Sequence, residues 1–225
     1  FASVPAVELG RTAVVAALER AGLSPQDVDH LVFGMARQAA NGPNPARQVA
    51  FRSGVPQERP AHTVNQACAS GLLAIAQARD LIRLGEADVV VAGGMENMSA
   101  APLLLPGARK GFRFGDVTML DAVMHDGLWC PFERHPMGMA AEAIAEKHGV
   151  SRDEMDQYSL GSHRKAVDAI ESGRFEAEIV PVEAKNGKAT VTVARDENPR
   201  ADTSIEALAK LAPAFTGNGL VTAGN

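Results

Sequence analysis

Cys68 is the residue best placed to do chemistry, within Val64-Asn65-Gln66-Ala67-Cys68-Ala69-Ser70-Gly71, where a short strand-like run gives way to a helical one. A thiol at a helix N-terminus faces unpaired backbone N–H groups and the positive end of the helix dipole, which favours the nucleophilic thiolate. The same N–H groups can hold an oxyanion on an attacked carbonyl. Ala69, Ser70 and Gly71 are small, so a substrate carbonyl has room to reach the sulfur. The turn is like a nucleophile elbow, although Gly-x-Ser-x-Gly itself is missing. On position alone Cys68 reads equally as a nucleophile or as a small buried hydrophobe.

The other reactive side chains read more plainly. Cys130, between Trp129 and Pro131-Phe132, has no helix start beside it and is expected to pack in a core. None of the six histidines has zinc-ligand spacing with a cysteine, so no metal site is expected. His148 falls at a helix end where a cation is favourable. His135, before Pro136-Met137-Gly138 at the mouth of a helix, is a candidate to line a pocket. Gly93-Gly94 follows an apolar run without the Lys-Ser/Thr or Gly-x-Gly-x-x-Gly of a phosphate loop, and reads as a tight turn from strand to helix.

The elements that must position these groups follow from period and punctuation. Val7 to Ala21 has helical spacing, and His30-Leu31-Val32-Phe33-Gly34 is a compact strand. Asn44-Pro45 starts a helix to about Arg52, Thr63-Val64-Asn65 is a short strand, and 72–84 is helical. The run 87–92 is then a strand. Strand, helix, strand is a βαβ unit, which requires a parallel sheet and a right-handed crossover. After Met98 the character changes: prolines and glycines punctuate a stretch holding Arg109, Lys110 and Arg113. Helices are expected over 137–148 and, from a Ser151/Glu154 capping box, to about Ser172. Strands 179–183 and 189–193 flank Asn186-Gly187, a hairpin signal, and 205–211 is a short helix. Leu220 to Asn225 reads as a strand returning to the sheet. The fold class is α/β, organised as an α/β half over 1–97, an inserted α+β domain over 98–219 and the start of the return strand over 220–225.

Composition limits the function. The 225 residues are 46% hydrophobic and 22% charged, ordinary for a folded globular chain, with a net charge of -5. Lysine and arginine are scattered, so neither nucleic acid nor an anionic membrane is expected as partner. No apolar run approaches the roughly 20 residues a membrane span needs. Two cysteines cannot build a disulfide framework, which points to a reducing, cytoplasmic setting.

Four motifs taken together resemble one family. Asn44-Pro45-Ala46-Arg47-Gln48, Asn65 to Gly71, Ala92-Gly93-Gly94-Met95-Glu96-Asn97-Met98-Ser99 and Val221-Thr222-Ala223-Gly224-Asn225 are similar, in order, to the thiolases, the acetyl-CoA C-acetyltransferases and 3-ketoacyl-CoA thiolases. The resemblance implies a thiolase-like fold, of which this chain holds the N-terminal half with its inserted loop domain. It implies that Cys68 takes an acyl group from acyl-CoA as a thioester, splitting one hard step into two. The products are made or cleaved by Claisen chemistry on 3-ketoacyl-CoA. Leu128, Met137, Arg200 and Phe215 match positions that contact coenzyme A, although core packing is an equal reading for Leu128, Met137 and Phe215. Arg200 suits the nucleotide end because a guanidinium stacks on rings and pairs with phosphate. Arg109 to Arg113 resembles a tetramer-contact segment, with a solvated loop as the alternative. Coenzyme A thioesters enter as substrates, no further cofactor is implied, and the family's members are homodimers or homotetramers.

The chain also departs from the family. Biosynthetic members have His directly before Met-Gly, where this chain has Pro136 and carries His135 one residue early, a pattern nearer the degradative or broad-range branch. Ala207 replaces a CoA-binding serine. The first strand, the Asn-Glu-Ala-Phe segment, the Gly-His-Pro histidine and the second catalytic cysteine are not found in it. The resemblance therefore implies that these residues alone do not turn over. The alternative is a fragment that binds acyl-CoA or a partner chain without catalysis.

Overall fold

Leu31, Val32 and Phe33 lie in a strand buried on both faces, the pattern of a parallel sheet covered by helices. In a computed structural model describing residues 1–225, that strand is His30–Gly34 (β1), flanked by Ala61–Val64 (β2) and Val90–Gly94 (β3) in the order β2-β1-β3. Both pairings are parallel, with Gly34 opposite Val64 on one side and Gly94 on the other. Alternation along β1 divides the core. Leu31, Phe33 and, just beyond, Met35 join Val7, Val14 and Leu18 of helix α1 (Ala6–Ala21) and Ala46, Val49 and Ala50 of helix α2 (Pro45–Arg52). Val32 faces the other way, packing with Val64 and with Ala74 of helix α3 (Ser70–Arg83). Each large apolar side chain so buried contributes about 1.5–3 kcal/mol, so β1 anchors both layers.

The expected helix starts are found, with their chemistry visible. The Asn44 carboxamide accepts from the Arg47 N–H and Pro45 takes the first turn of α2. Thr63 on β2 donates to Asn44 Oδ1 and accepts from the Ala46 N–H, tying the cap to the sheet. β3 begins later than the hydrophobic run predicts and includes Gly93 and Gly94 as ladder residues, paired with Phe33 and Gly34. The two glycines are thus the end of the strand rather than a turn. A Cβ on Gly93 would meet the Phe33 ring at 3.3 Å and one on Gly94 the Gly34 carbonyl oxygen at 3.1 Å.

The chain forms two compact units, Phe1–Gly127 with Val180–Val193, and Leu128–Ile179 with Ala194–Asn225. This grouping divides the chain at a different place from the Asn97/Met98 change of character. The first unit includes the short antiparallel pair Leu103–Leu104 (β4) and Leu120–Asp121 (β5), and ends in a π-helical turn whose element runs Met124–Leu128. The hairpin Val182–Asn186 (β8) and Ala189–Val193 (β9) belongs to it too, with the Lys185 backbone bonded to Ser3 Oγ.

The second unit opens on Trp129–Cys130 (β6) and His135–Pro136 (β7), an antiparallel pair. Met137–His148 (α4), Arg152–Glu171 (α5) and Ile205–Ala209 (α6) follow. The Ser151/Glu154 capping box is formed at the start of α5. The expected return strand over 220–225 is not. Thr222 makes a single antiparallel bridge to Pro213, and neighbouring donors are taken by side chains: Glu142 accepts from the Leu220 and Val221 N–H groups, and Asn225 Oδ1 from the Thr222 N–H. Backbone groups satisfied this way have none left for a ladder.

Candidate active site

The end of β1 meets the start of α3 at a contact only glycine permits. A Cβ on Gly34 would sit 2.5 Å from the Ser70 carbonyl carbon and 2.7 Å from the Gly71 nitrogen. The first turn of α3 therefore lies directly on the sheet, and the loop before it holds Cys68 at its surface. Cys68 is a free, exposed thiol, which removes the reading as a small buried hydrophobe. It lines a pocket of about 310 Å³ with Gly34, Arg37, Ala67, Ser70, Glu96 and other residues of the same unit.

The loop that carries Cys68 is tightly bonded. Ala67 has φ 49°, in the left-handed region that residues with a Cβ rarely occupy. Ser70, 5% exposed, accepts from the Gln66 N–H at 2.9 Å and donates to the Ala67 carbonyl at 2.6 Å. The Ala69 and Ser70 N–H groups bond to Gln66 and Ala67 carbonyls. The Ser70 donor is thereby taken, so fewer α3 donors are left for an oxyanion than the helix start alone would offer.

Arg37 and Glu96 form the pocket's charged wall. Glu96 accepts from the Ala36 N–H at 2.9 Å and the Arg37 N–H at 3.2 Å, with the Arg37 guanidinium 3.8 Å away. The Arg37 side chain is 12% exposed and its Nε is buried without a partner. Neither residue stood out in the sequence as part of a site. The motif holding Glu96 was visible, but its partners lie some sixty positions earlier.

In the second unit the residues matched to coenzyme A contacts fall into two neighbourhoods. The β6–β7 register pairs Cys130 with His135 and Trp129 with Pro136, with Leu128 just before β6 and Met137 just after β7. The Phe215 ring lies against Gly138, where a Cβ would come within 2.0 Å of it. Met137 and Phe215 are 41% and 42% exposed, so core packing does not explain them. His135 is half-buried, its Nδ1 3.0 Å from its neighbour's Pro136 carbonyl.

Arg200 stands elsewhere, on a cavity of about 470 Å³ with His163, Asn198, Thr203, Ala207 and Leu211 among its lining. Its N–H donates to His163 Nδ1 at 3.1 Å, a partner the sequence did not single out. Cys130 is not in a core as expected: it is partly exposed in a two-residue strand, and its Sγ accepts from the Glu133 N–H at 3.4 Å.

An exposed cysteine on a strand-to-helix turn beside a parallel sheet, in a chain that carries the four motifs in order, fits the thiolase resemblance. Comparison with known proteins agrees. The family model for the thiolase N-terminal domain matches residues 1–225. Acetyl-CoA acetyltransferase of Pseudomonas aeruginosa is 47% identical over 226 residues, covering 100% of this chain and 58% of that protein. Acetyl-CoA acetyltransferase of Escherichia coli is also 47% identical, over 100% of this chain and 57% of its own length. The crystal structure of Bacillus anthracis acetyl-CoA acetyltransferase superposes with a TM-score of 0.95 at 39% identity, covering 100% of this chain and 57% of that one. The chain belongs to the thiolase family. It spans a little under three fifths of the length of these relatives.

Proposed function

We propose that this chain is the nucleophile-bearing part of a thiolase-type acetyl-CoA acyltransferase. Cys68 Sγ attacks the thioester carbon of an acyl-CoA. The carbon–sulfur bond to coenzyme A breaks, the thiol proton passes to the departing thiolate, and the acyl group stays on Cys68. In the synthetic direction a second acetyl-CoA gives up a methyl proton, its carbanion attacks the acyl carbon to form the new carbon–carbon bond, and the departing Cys68 thiolate recovers a proton. In the degradative direction Cys68 Sγ attacks the 3-keto carbon of a 3-ketoacyl-CoA, the C2–C3 bond breaks to release acetyl-CoA, and the thiol of coenzyme A then takes the acyl group from Cys68. The observation that carries this reading is the exposure of Cys68 in a formed pocket at the first turn of α3. Residues 98–219 cover the coenzyme A, with Arg200 at the nucleotide end and Leu128, His135, Met137 and Phe215 along the pantetheine. The exposed rings and thioether of Phe215 and Met137 support that assignment.

The lining of the Cys68 pocket includes no histidine and no second cysteine. General acid–base catalysis needs a proton carrier within hydrogen-bond reach. Residues 1–225 alone are therefore expected to bind acyl-CoA without completing turnover, which favours the reading of an acyl-CoA-binding fragment for the isolated chain. The setting is cytoplasmic, in keeping with two free thiols, and the intact protein is a homodimer or homotetramer.

Alkylation tests the nucleophile. Iodoacetamide is expected to label Cys68 stoichiometrically, and acetyl-CoA to block it. Equal labelling of Cys130, or no protection by acetyl-CoA, would contradict the assignment.

A further inference from the structure

We infer that Glu96 and Asn65 are positioning residues for Cys68, joined in one hydrogen-bonded relay across the ends of the three parallel strands. The inference rests on the reading of Cys68 as the nucleophile. The relay starts just past β3, where Glu96 accepts from two successive backbone donors, Ala36 N–H at 2.9 Å and Arg37 N–H at 3.2 Å. These donors follow β1, beyond the last residue that the ladder can satisfy, and a carboxylate is the one side chain that serves both with charge-assisted bonds.

With its N–H held, Ala36 offers its carbonyl to the Asn65 amide, Nδ2 to O at 3.1 Å. The other end of that amide accepts from the Ala67 N–H at 2.9 Å. Ser70 Oγ grips the carbonyl of the same residue at 2.6 Å. Ala67, the residue immediately before the nucleophile, thus has both its backbone groups fixed by side chains while it holds φ 49°. Its two peptide planes set the direction in which the Cys68 Cα–Cβ bond points.

Asparagine is required at 65 because the position must donate to one side and accept from the other. Aspartate lacks the donor and an alkyl side chain lacks both. Glu96 is likewise committed as an acceptor, so it acts through the loop and not as a base. Acyl transfer needs the sulfur aligned within about 3–3.5 Å of the thioester carbon, and a misplacement of about 1 Å costs roughly a hundredfold in rate.

The test uses the intact protein and four single variants, Asn65→Ala, Glu96→Ala, Glu96→Gln and Cys68→Ala, with Glu8→Gln as a surface control. Folding of each is checked by thermal unfolding. The readouts are kcat and KM for acyl transfer from acetyl-CoA and the rate of Cys68 alkylation by iodoacetamide. Asn65→Ala and Glu96→Ala are expected to lose about 100-fold in kcat with KM little changed, and to slow alkylation as well. Glu96→Gln keeps one acceptor oxygen and is expected to lose about tenfold, which decides the question should the alanine variants not fold. Adding Ala67→Gly to Asn65→Ala is expected to restore part of the loss, since glycine adopts positive φ unaided. Wild-type kcat and alkylation in folded Glu96→Gln and Asn65→Ala would overturn the relay. Acyl transfer surviving in Cys68→Ala would instead overturn the nucleophile reading, so the two failures are distinct.

Discussion

A single missing Cβ at Gly34 decides how the nucleophile loop sits. Because an alanine there would place its methyl 2.5 Å from the Ser70 carbonyl carbon, the start of α3 would have to lift from the sheet. Gly34→Ala is expected to lose about 1–3 kcal/mol of stability, measured by denaturant unfolding of the intact protein, and to slow Cys68 alkylation. Unchanged values would mean the contact yields freely. A second residue-scale outcome concerns His30. Its Nε2 lies 3.0 Å from His62 Nδ1, and His62 Nε2 in turn lies 3.0 Å from Gln77 Oε1. Burial, and then the like charge of His62, pull the His30 pKa below 6.5, against a weaker opposing pull from Glu86. Below 6.5 the unfolded chain therefore binds more protons than the folded one, so stability is full above that pH and falls as acidification proceeds toward the folded value. The melting temperature of His30→Gln is expected to fall less on acidification than that of the wild type, and an equal fall would contradict this origin. Cys68 was legible as a candidate because a thiol at a strand-to-helix turn faces free backbone N–H groups, but position alone left burial an equal reading, and its exposure shows only in the fold. Glu96 and Arg37 were hidden for a different reason: their partners are backbone groups and a pocket formed only once the three strands align.

Elements were readable wherever local chemistry decided them. The starts of α2 and α5 are announced by Asn44-Pro45 and by Ser151 with Glu154, and both caps form. Ser151→Ala is expected to cost about 1 kcal/mol, read as a lower denaturation midpoint. Where tertiary partners decided, the pattern misled. Leu220-Val221-Thr222 looks like a strand, yet Glu142 and Asn225 take its donors. Asn225 is in turn bonded to Asp156 at 2.7 Å, a carboxylate 2% exposed that also pairs with Arg152 at 2.8 Å. Arg152 closes the end of α6 by donating to the Leu208 and Leu211 carbonyls. Asp156→Ala leaves the half-buried Arg152 charge without its carboxylate partner and frees the Asn225 turn, and is expected to cost roughly 3 kcal/mol or more. A loss no larger than that of Ser151→Ala would show the network to be unimportant. The late start of β3 has the same kind of cause, since Asp29 Oδ2 accepts from the Asp88 and Val89 N–H groups and holds them in a turn ahead of the ladder.

At the scale of the molecule, the order of four motifs made the family legible before any coordinate, and the full-length match of the chain to the thiolase N-terminal domain bears it out. Residues 98–127 change composition while grouping with the first compact unit, so the change of character at Met98 and the compact units mark different features of the chain. α3 exposes Leu72, Ile75 and Ile82, and Leu84 beyond it, more apolar surface than a helix facing only water carries. The proposed association of the intact protein is tested by light scattering, with a dimer or tetramer expected and a monomer contradicting it. The central claim is that Cys68 carries the acyl group, and peptide mass mapping after brief incubation of the intact protein with acetyl-CoA tests it most directly. One acetyl group on the Cys68 peptide, lost on addition of coenzyme A and missing in Cys68→Ala, is the expected result; an unmodified Cys68 peptide, or the acetyl group on Cys130, would contradict the account.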